Sequence, residues 1–292
     1  MTSPRTAIDA ASLRKPSDEE IDIFGLTHTG KVRKENQDHF LICSLEKRIR
    51  IHQTSLSSED QLPLQGKRMA FLAMVADGVG AGAKGGVASR LAVETVTRYV
   101  AETMRCYNDL DAHDDQAFDD ALQEVAWECH KSVLAEAESD PDRRGMATTL
   151  TLWIGVWPRA YLLQVGDSRF YLFRNDHLTR ISRDQTMAQE LIDQGVLTHS
   201  NAFNTRWANV LSSSIGGKQT APAVTRMDQE YYNIGLLCSD GLTKHVSDER
   251  IAERMRNFTS AKETCEGLLQ DALDGGGSDN ITIIVGRDVK RE

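Results

Sequence analysis

The chain is short of everything that would staple it, tether it to a membrane or draw it to a polyanion. Its 292 residues include 5 cysteines and 8 histidines. Cys43, Cys106, Cys129, Cys238 and Cys265 are far apart and mostly lie in apolar runs, with no C-x-x-C and no H-x-x-x-H pair. That excludes a disulfide framework and a His/Cys metal site, and reads the cysteines as small buried hydrophobes. The longest uninterrupted apolar run, Met69 to Ala76, is far short of the about 20 residues that span a bilayer. Charges and prolines interrupt Met1 to Glu20, which has no apolar region of a secretory leader. There is no Lys/Arg run, and 34 basic against 43 acidic residues leave a net charge of −9. Neither nucleic acid nor membrane is an expected partner, and the cytoplasm is the expected compartment. Repeats and low-complexity segments are also lacking.

What is present is an ordinary globular composition, 40% hydrophobic and 26% charged, in a chain long enough for a sizeable core. Residues 1–20 read as a flexible polar tail and 21–288 as a single domain. Alternating or apolar stretches predict strands at Ile21–Thr27, His39–Leu45 and Met69–Ala76, with 46–67 an exposed insertion. Helical spacing follows at Ala88, Leu91, Ala92, Val96, Tyr99, Val100 and Met104. It recurs at Phe118, Ala121, Leu122, Val125, Ala126, Cys129 and Val133. Strands then fill Thr148 to Ile181, broken by turns at Trp157-Pro158, Gly166-Asp167 and Asn175-Asp176. A short helix at Thr186–Gln194, a Gly/Ser/Asn-rich loop at 195–217, strands at Ala223–Met227 and Ile234–Cys238, two helices at Asp248–Phe258 and Ala261–Ala272, and a strand at Ile281–Val285 complete the pattern. Strand runs and helix runs are segregated, so the expectation is an α+β layered domain of antiparallel sheets covered by helices.

The residues suited to chemistry are aspartates at strand edges. Asp77 ends FLAMVA before Gly78, Asp240 follows IGLLCS, Asp279 precedes ITIIV beside Asn280, and Asp38 opens HFLIC. One Asp-Gly alone is an ordinary turn dipeptide. Several carboxylates gathered from distant sequence would repel one another unless a cation neutralised them, and hard oxygen donors suit magnesium or manganese.

With these residues the chain resembles the metal-dependent protein phosphatases of type 2C, most closely their bacterial Ser/Thr members. VRKENQD (32–38), VADGVGAGAKGG (75–86), GMATTL (145–150), VGDSRFYLF (165–173), RDQT (183–186), CSDGL (238–242) and SDNITIIV (278–285) occur in the family's order. The resemblance implies an α-β-β-α sandwich, two antiparallel sheets flanked by helix pairs, with a site for two Mn2+ or Mg2+ ions at one end. It implies that Asp77 bridges the ions, that the Gly78 carbonyl serves the second, and that Asp240 and Asp279 complete the first. By the same resemblance Asp38 holds metal-bound water, Asn280 orients its neighbour, Arg33 binds phosphate, and Asp142 matches a carboxylate for a weaker third ion. Loop 195–217 corresponds to a flap. The implied reaction is direct attack of an ion-held water on a phosphorylated Ser/Thr protein, opposed by a Ser/Thr kinase. Val79 stands where eukaryotic members carry a histidine proposed as proton donor. A catalytically silent relative would have lost metal carboxylates, and none is lost here. A phosphatase of small molecules is left open, since pocket walls set the substrate.

Overall fold

The computed structural model describes residues 14–47, 67–80, 84–102, 115–198, 201 and 205–290. A five-stranded sheet runs in the order β1 (Ile21–His28), β11 (Ile281–Asp288), β10 (Ile234–Cys238), β7 (Arg169–Arg174) and β8 (His177–Arg180). The second sheet orders β2 (Asp38–Lys47), β3 (Lys67–Val79), β5 (Leu150–Val156), β6 (Arg159–Val165) and β9 (Ala223–Asp228), with the short β4 (Ala147–Thr148) beside β3. Every pairing is antiparallel. The expected layering is borne out.

Helices α1 (Lys84–Glu102) and α2 (Asp115–Ser139) cover the second sheet. On α2, Phe118, Leu122, Val125, Ala126, Cys129, Val133 and Ala137 are buried, the three-and-four spacing of a helix with one apolar face. Further helices among the described residues are α3 (Met187–Asp193), α4 (Asp240–Thr243), α5 (Asp248–Arg256) and α6 (Ala261–Asp274). Side chains of α5 and α6 pack on β7, β10 and β11. Ser247 and Ser260 cap these two helices by accepting the amides of Arg250 and Glu263. The β7–β8 hairpin turns on Asn175 and Asp176, at φ 51° and 63°, a left-handed pair that these two residue types tolerate.

The period of two along each strand decides what lies between the sheets. Leu72 and Met74 of β3 face the helices, whereas Ala73 and Val75, with Leu162 of the same sheet, face Phe170, Leu237 and Ile284 of the other sheet. Continuing that alternation, Asp77 falls on the inter-sheet face. It lies inside β3 rather than after it, because the strand runs on through Gly78 and Val79 against β4.

Other expectations change in detail. Residues 14–20 are packed rather than part of a tail: Glu20 is buried and paired with Arg14, Lys15 Nζ donates to the carbonyls of Arg68 and Met69, and Asp18–Glu20 form a 3-10 turn. Ser17 and Glu20 close that turn as a capping box, a local signal present in the sequence. Residues 1–13, Cys106, Met104 and 48–66 of the expected insertion lie outside the described residues, whereas 46, 47 and 67 belong to β2 and β3. Cys129, Cys238 and Cys265 are buried and free, and Cys43 is half-buried.

Phe118 anchors α2. It is 1% exposed and stacks on Tyr161 of β6 with ring centroids 4.5 Å apart, and the Tyr161 hydroxyl donates to Asp115 at the start of the helix. Phe118→Ala should cost about 3–5 kcal/mol through lost burial and a residual cavity, read as a lower urea midpoint with an unchanged slope.

Candidate active site

The inter-sheet layer turns polar at one end of the sandwich. Asp38 and Asp77 stand directly opposite each other across the β2–β3 ladder. Asp38 is 4% exposed, and its Oδ2 accepts hydrogen bonds from Ser239 Oγ (2.8 Å) and Thr282 Oγ1 (2.7 Å) of the other sheet. No donor group bonds its Oδ1. Burial outweighs the bonds from Thr282 and Ser239 and a smaller lowering contact with Asp77, and pushes the Asp38 carboxyl up to about 6, with the charge of Asp240 adding to the rise. Asp77 is driven well above the usual carboxylate range, first by burial and then by the charges of Asp38, Asp240, Asp167 and Asp279. Its backbone is fixed by Thr149, whose amide donates to the Asp77 carbonyl and whose Oγ1 accepts from the Asp77 amide, both at 2.9 Å.

Asp240 is the first residue of α4, one position after Ser239 ends the β10 side of the cluster. Asp279 lies in the turn before β11. Lys244 joins the two: its Nζ is 2.5 Å from Asp240 Oδ2 and 2.7 Å from Asp279 Oδ2. Arg33 grips Asp279 from the other side with a two-pronged contact, Nε to Oδ1 at 2.7 Å and a terminal nitrogen to Oδ2 at 2.9 Å. Although burial pushes Asp279 up, the hydrogen bonds from Arg33 and Lys244 win and hold it below its ordinary value. Burial raises Asp240 against the pull of Lys244, and its Oδ1 is unpartnered.

Asn280 ties these pieces together. Its Oδ1 accepts the Gln37 amide, its Nδ2 donates to the carbonyls of Thr29 and Glu35, all at 2.9 Å, and its own amide donates to Asp279 Oδ1 at 3.0 Å. The loop carrying Arg33 is thereby fastened to β11. Gly30, at φ +82°, makes the close approach possible: a Cβ there would sit 2.2 Å from the Asp279 carbonyl oxygen. Gly78 is equally constrained, since its Cβ would lie 2.3 Å from the Gly85 backbone.

Asp167 joins the cluster although sequence reasoning used it only as a turn residue. It follows Gly166, at φ +107°, at the end of β6. Burial, then the charges of Asp240 and Asp184, push its carboxyl up to about 8. The VGDSR stretch carried the signal, but a Gly-Asp turn hid it. With Arg33, Asp240, Lys244 and Asp279 it lines a cleft of about 1100 Å³. Asp142 does not join. It is exposed in the 3-10 turn Pro141–Arg143, where its amide donates to Asp140 Oδ1, and it does not line the cleft. Val79 is 39% exposed at the end of β3. In loop 195–217, leaving aside 199–200 and 202–204, which are outside the described residues, Leu211 and Ile215 bridge to Thr186 and Thr148.

The donor set is oxygen only, with two buried carboxylate oxygens unpartnered and the carboxyls of Asp38, Asp77, Asp167 and Asp240 raised first by burial and then by neighbouring charge, which fits hard divalent cations. Among the described residues, no three His, Cys, Asp or Glu side chains form a ready-made ion-holding group. Lys244 and Arg33 already neutralise Asp240 and Asp279 from within the chain.

Comparison with known proteins gives the family and the fold. The sequence profile of the protein phosphatase 2C family matches residues 50–275, and the chain belongs to that family. The serine/threonine protein phosphatase PstP of Mycobacterium tuberculosis is 34% identical over 219 residues, covering 74% of this chain and 40% of PstP. This chain therefore spans well under half of that relative. The serine/threonine phosphatase stp of Listeria innocua is 29% identical over 261 residues, covering 89% of this chain and 92% of that protein. The crystal structure of a PstP catalytic domain in complex with two manganese ions superposes with a TM-score of 0.70 at 29% identity, over 92% of this chain and 99% of that one.

The raised carboxyls set a pH dependence. A carboxyl whose folded pKa exceeds its unfolded value binds more protons when folded, so its contribution to stability is lost as pH rises from the unfolded pKa through the folded one. For Asp167 that window runs from 3.8 to about 8. In chelator, Asp167→Asn should gain stability on its parent between about pH 5 and about pH 8, measured as the difference in melting temperature. A constant difference would mean that Asp167 titrates normally.

Proposed function

We propose that this chain is a Mn2+- or Mg2+-dependent phosphatase that hydrolyses phosphomonoesters of serine and threonine in proteins. The observation that carries the reading is the convergence of Asp38, Asp77, Asp240 and Asp279 from both sheets at one end of the sandwich, where Asp240 and Asp279 line the cleft and no donor bonds Asp38 Oδ1 or Asp240 Oδ1. Family membership and the manganese held by the PstP catalytic domain support it. Asp77, Asp240, Asp279 and the Gly78 carbonyl would hold the ions. When bound, they would supply a lowered water pKa and neutralise charge developing on the phosphoryl group.

The chain's own residues do the rest. Asp38 is fixed through Oδ2 by Ser239 and Thr282, which leaves Oδ1 to accept a proton from a water held beside Asp77. The Arg33 guanidinium is 56% exposed, and the planar fork it now offers a carboxylate matches two phosphate oxygens equally well. Asn280 keeps the Arg33 loop and Asp279 in register. Val79 has no proton to give a departing serine or threonine oxygen, so protonation of the leaving group falls to water. Neither a cysteine nor a serine nucleophile is required. A Ser/Thr kinase that makes the substrate is the expected counterpart. A cytoplasmic setting fits the free buried thiols of Cys129, Cys238 and Cys265.

Phosphate release from a phosphothreonine peptide should require added Mn2+ and stop in excess chelator. Asp240→Asn and Asp279→Asn should remain folded and lose most turnover; turnover in chelator equal to that with Mn2+ refutes the reading. Arg33→Ala should raise KM and cost about 1.5–3 kcal/mol in kcat/KM, the worth of a charge-assisted contact. Loss of Mn2+ affinity with an unchanged KM would instead make Arg33 a support of Asp279.

A further inference from the structure

The cleft contains a cation of its own. Lys244 Nζ lies 2.5 Å from Asp240 Oδ2 and 2.7 Å from Asp279 Oδ2, bridging carboxylates from the start of α4 and from the turn before β11, and its side chain is 27% exposed. The position is fixed locally. Lys244 falls one helical turn after Asp240 and donates its amide to the Asp240 carbonyl at 2.8 Å. The next residue, His245, grips the turn before Asp279: Nδ1 meets the Gly275 carbonyl at 2.9 Å and Nε2 accepts the Ser278 amide at 2.8 Å. The ammonium is thus held between its two carboxylates by backbone on both sides.

We propose that Lys244 is a resident countercation that a divalent ion must displace from Asp240 and Asp279, so that it stabilises the ion-free fold and weakens ion loading. This rests on the reading of those two aspartates as ion-holding residues. The physical argument is competition for the same oxygens. An ammonium at hydrogen-bond distance from both Oδ2 atoms occupies lone pairs that an oxygen-seeking cation needs, and two cations that close repel strongly where burial limits screening. Without Lys244, Arg33 alone would offset the charges of Asp240 and Asp279 in the ion-free chain, and the ion would gain more of the relief of their repulsion. With Lys244 in place much of the relief is already taken. Asp240 Oδ1 is unpartnered, so one donor stands open for an arriving ion. Arg33 differs from Lys244 in touching Asp279 alone and in being more than half exposed, so it can leave for a phosphate without uncovering both carboxylates. The displaced ammonium has an acceptor to move toward, since Asp167 lines the same cleft.

The test is calorimetric titration of the full, chelator-stripped chain with MnCl2, comparing the parent with Lys244→Met, Lys244→Gln and Lys244→Arg, alongside melting curves with and without the ion. The neutral variants should bind Mn2+ at least tenfold tighter, melt lower without the ion, and show a larger ion-induced rise in melting temperature. Lys244→Arg, which keeps the charge, should stay near the parent. Should Lys244→Met fail to fold, the more polar Lys244→Gln carries the comparison. Equal or weaker Mn2+ binding by a folded neutral variant overturns the role of Lys244 while leaving Asp240 and Asp279 as ion-holding residues. A parent chain that binds no Mn2+ overturns both.

Discussion

One carboxylate buried between two sheets sets the terms for the rest of this molecule. Asp38 belongs to β2, yet its Oδ2 is held by Ser239, just past β10, and Thr282 of β11, in the opposite sheet. Taking a carboxylate out of water costs several kcal/mol, and hydrogen bonds to a charged group return about 1.5–3 kcal/mol each. Two donors offset part of that cost. The remainder shows as a pKa pushed up to about 6 and an oxygen with no partner. Placing Asp77 directly across the ladder adds like-charge repulsion to the same small volume.

The same alternation that builds the core builds this site. Phe40 and Ile42, Val75 and Ala73, Leu237, Ile284, Leu162 and Trp153 fill the space between the sheets. Asp38, Asp77, Ser239, Thr282, Gln164 and Thr151 share their parity and lie toward one end. Gln164, Thr151 and Thr149 close that end by bonding to Ser168 or its backbone. A single inter-sheet layer is therefore hydrophobic along most of its length and oxygen-rich at its edge. The core holds the carboxylates together against their own repulsion, and Lys244 and Arg33 relieve part of it from the cleft side.

Much of this was legible in the sequence, because strand alternation and helical spacing are local. The apolar positions of α1, α2, α5 and α6 and the turn at Asn175-Asp176 all declare themselves in short windows. Asp38, Asp77, Asp240 and Asp279 stood out by their place beside apolar strands. What escaped depends on partners far away in sequence. Asp167 looks like any Gly-Asp turn until burial and Asp240 raise its pKa. Lys244 has no motif of its own and becomes notable only when the turn before β11 brings Asp279 to it. The extension of β3 past Asp77 through Gly78 and Val79 depends on β4, a strand of two residues too short to leave a pattern. Asp142 rests on the family resemblance alone, and it sits in an exposed 3-10 turn that does not line the cleft.

The central claim is that this oxygen-rich end of the sandwich is built for divalent cations. Anomalous diffraction at the manganese edge, from crystals of the full chain grown in MnCl2, tests it most directly. The account predicts peaks against Asp77, Asp240 and Asp279. Peaks confined to surface carboxylates, with this cluster empty at saturating manganese, would contradict it.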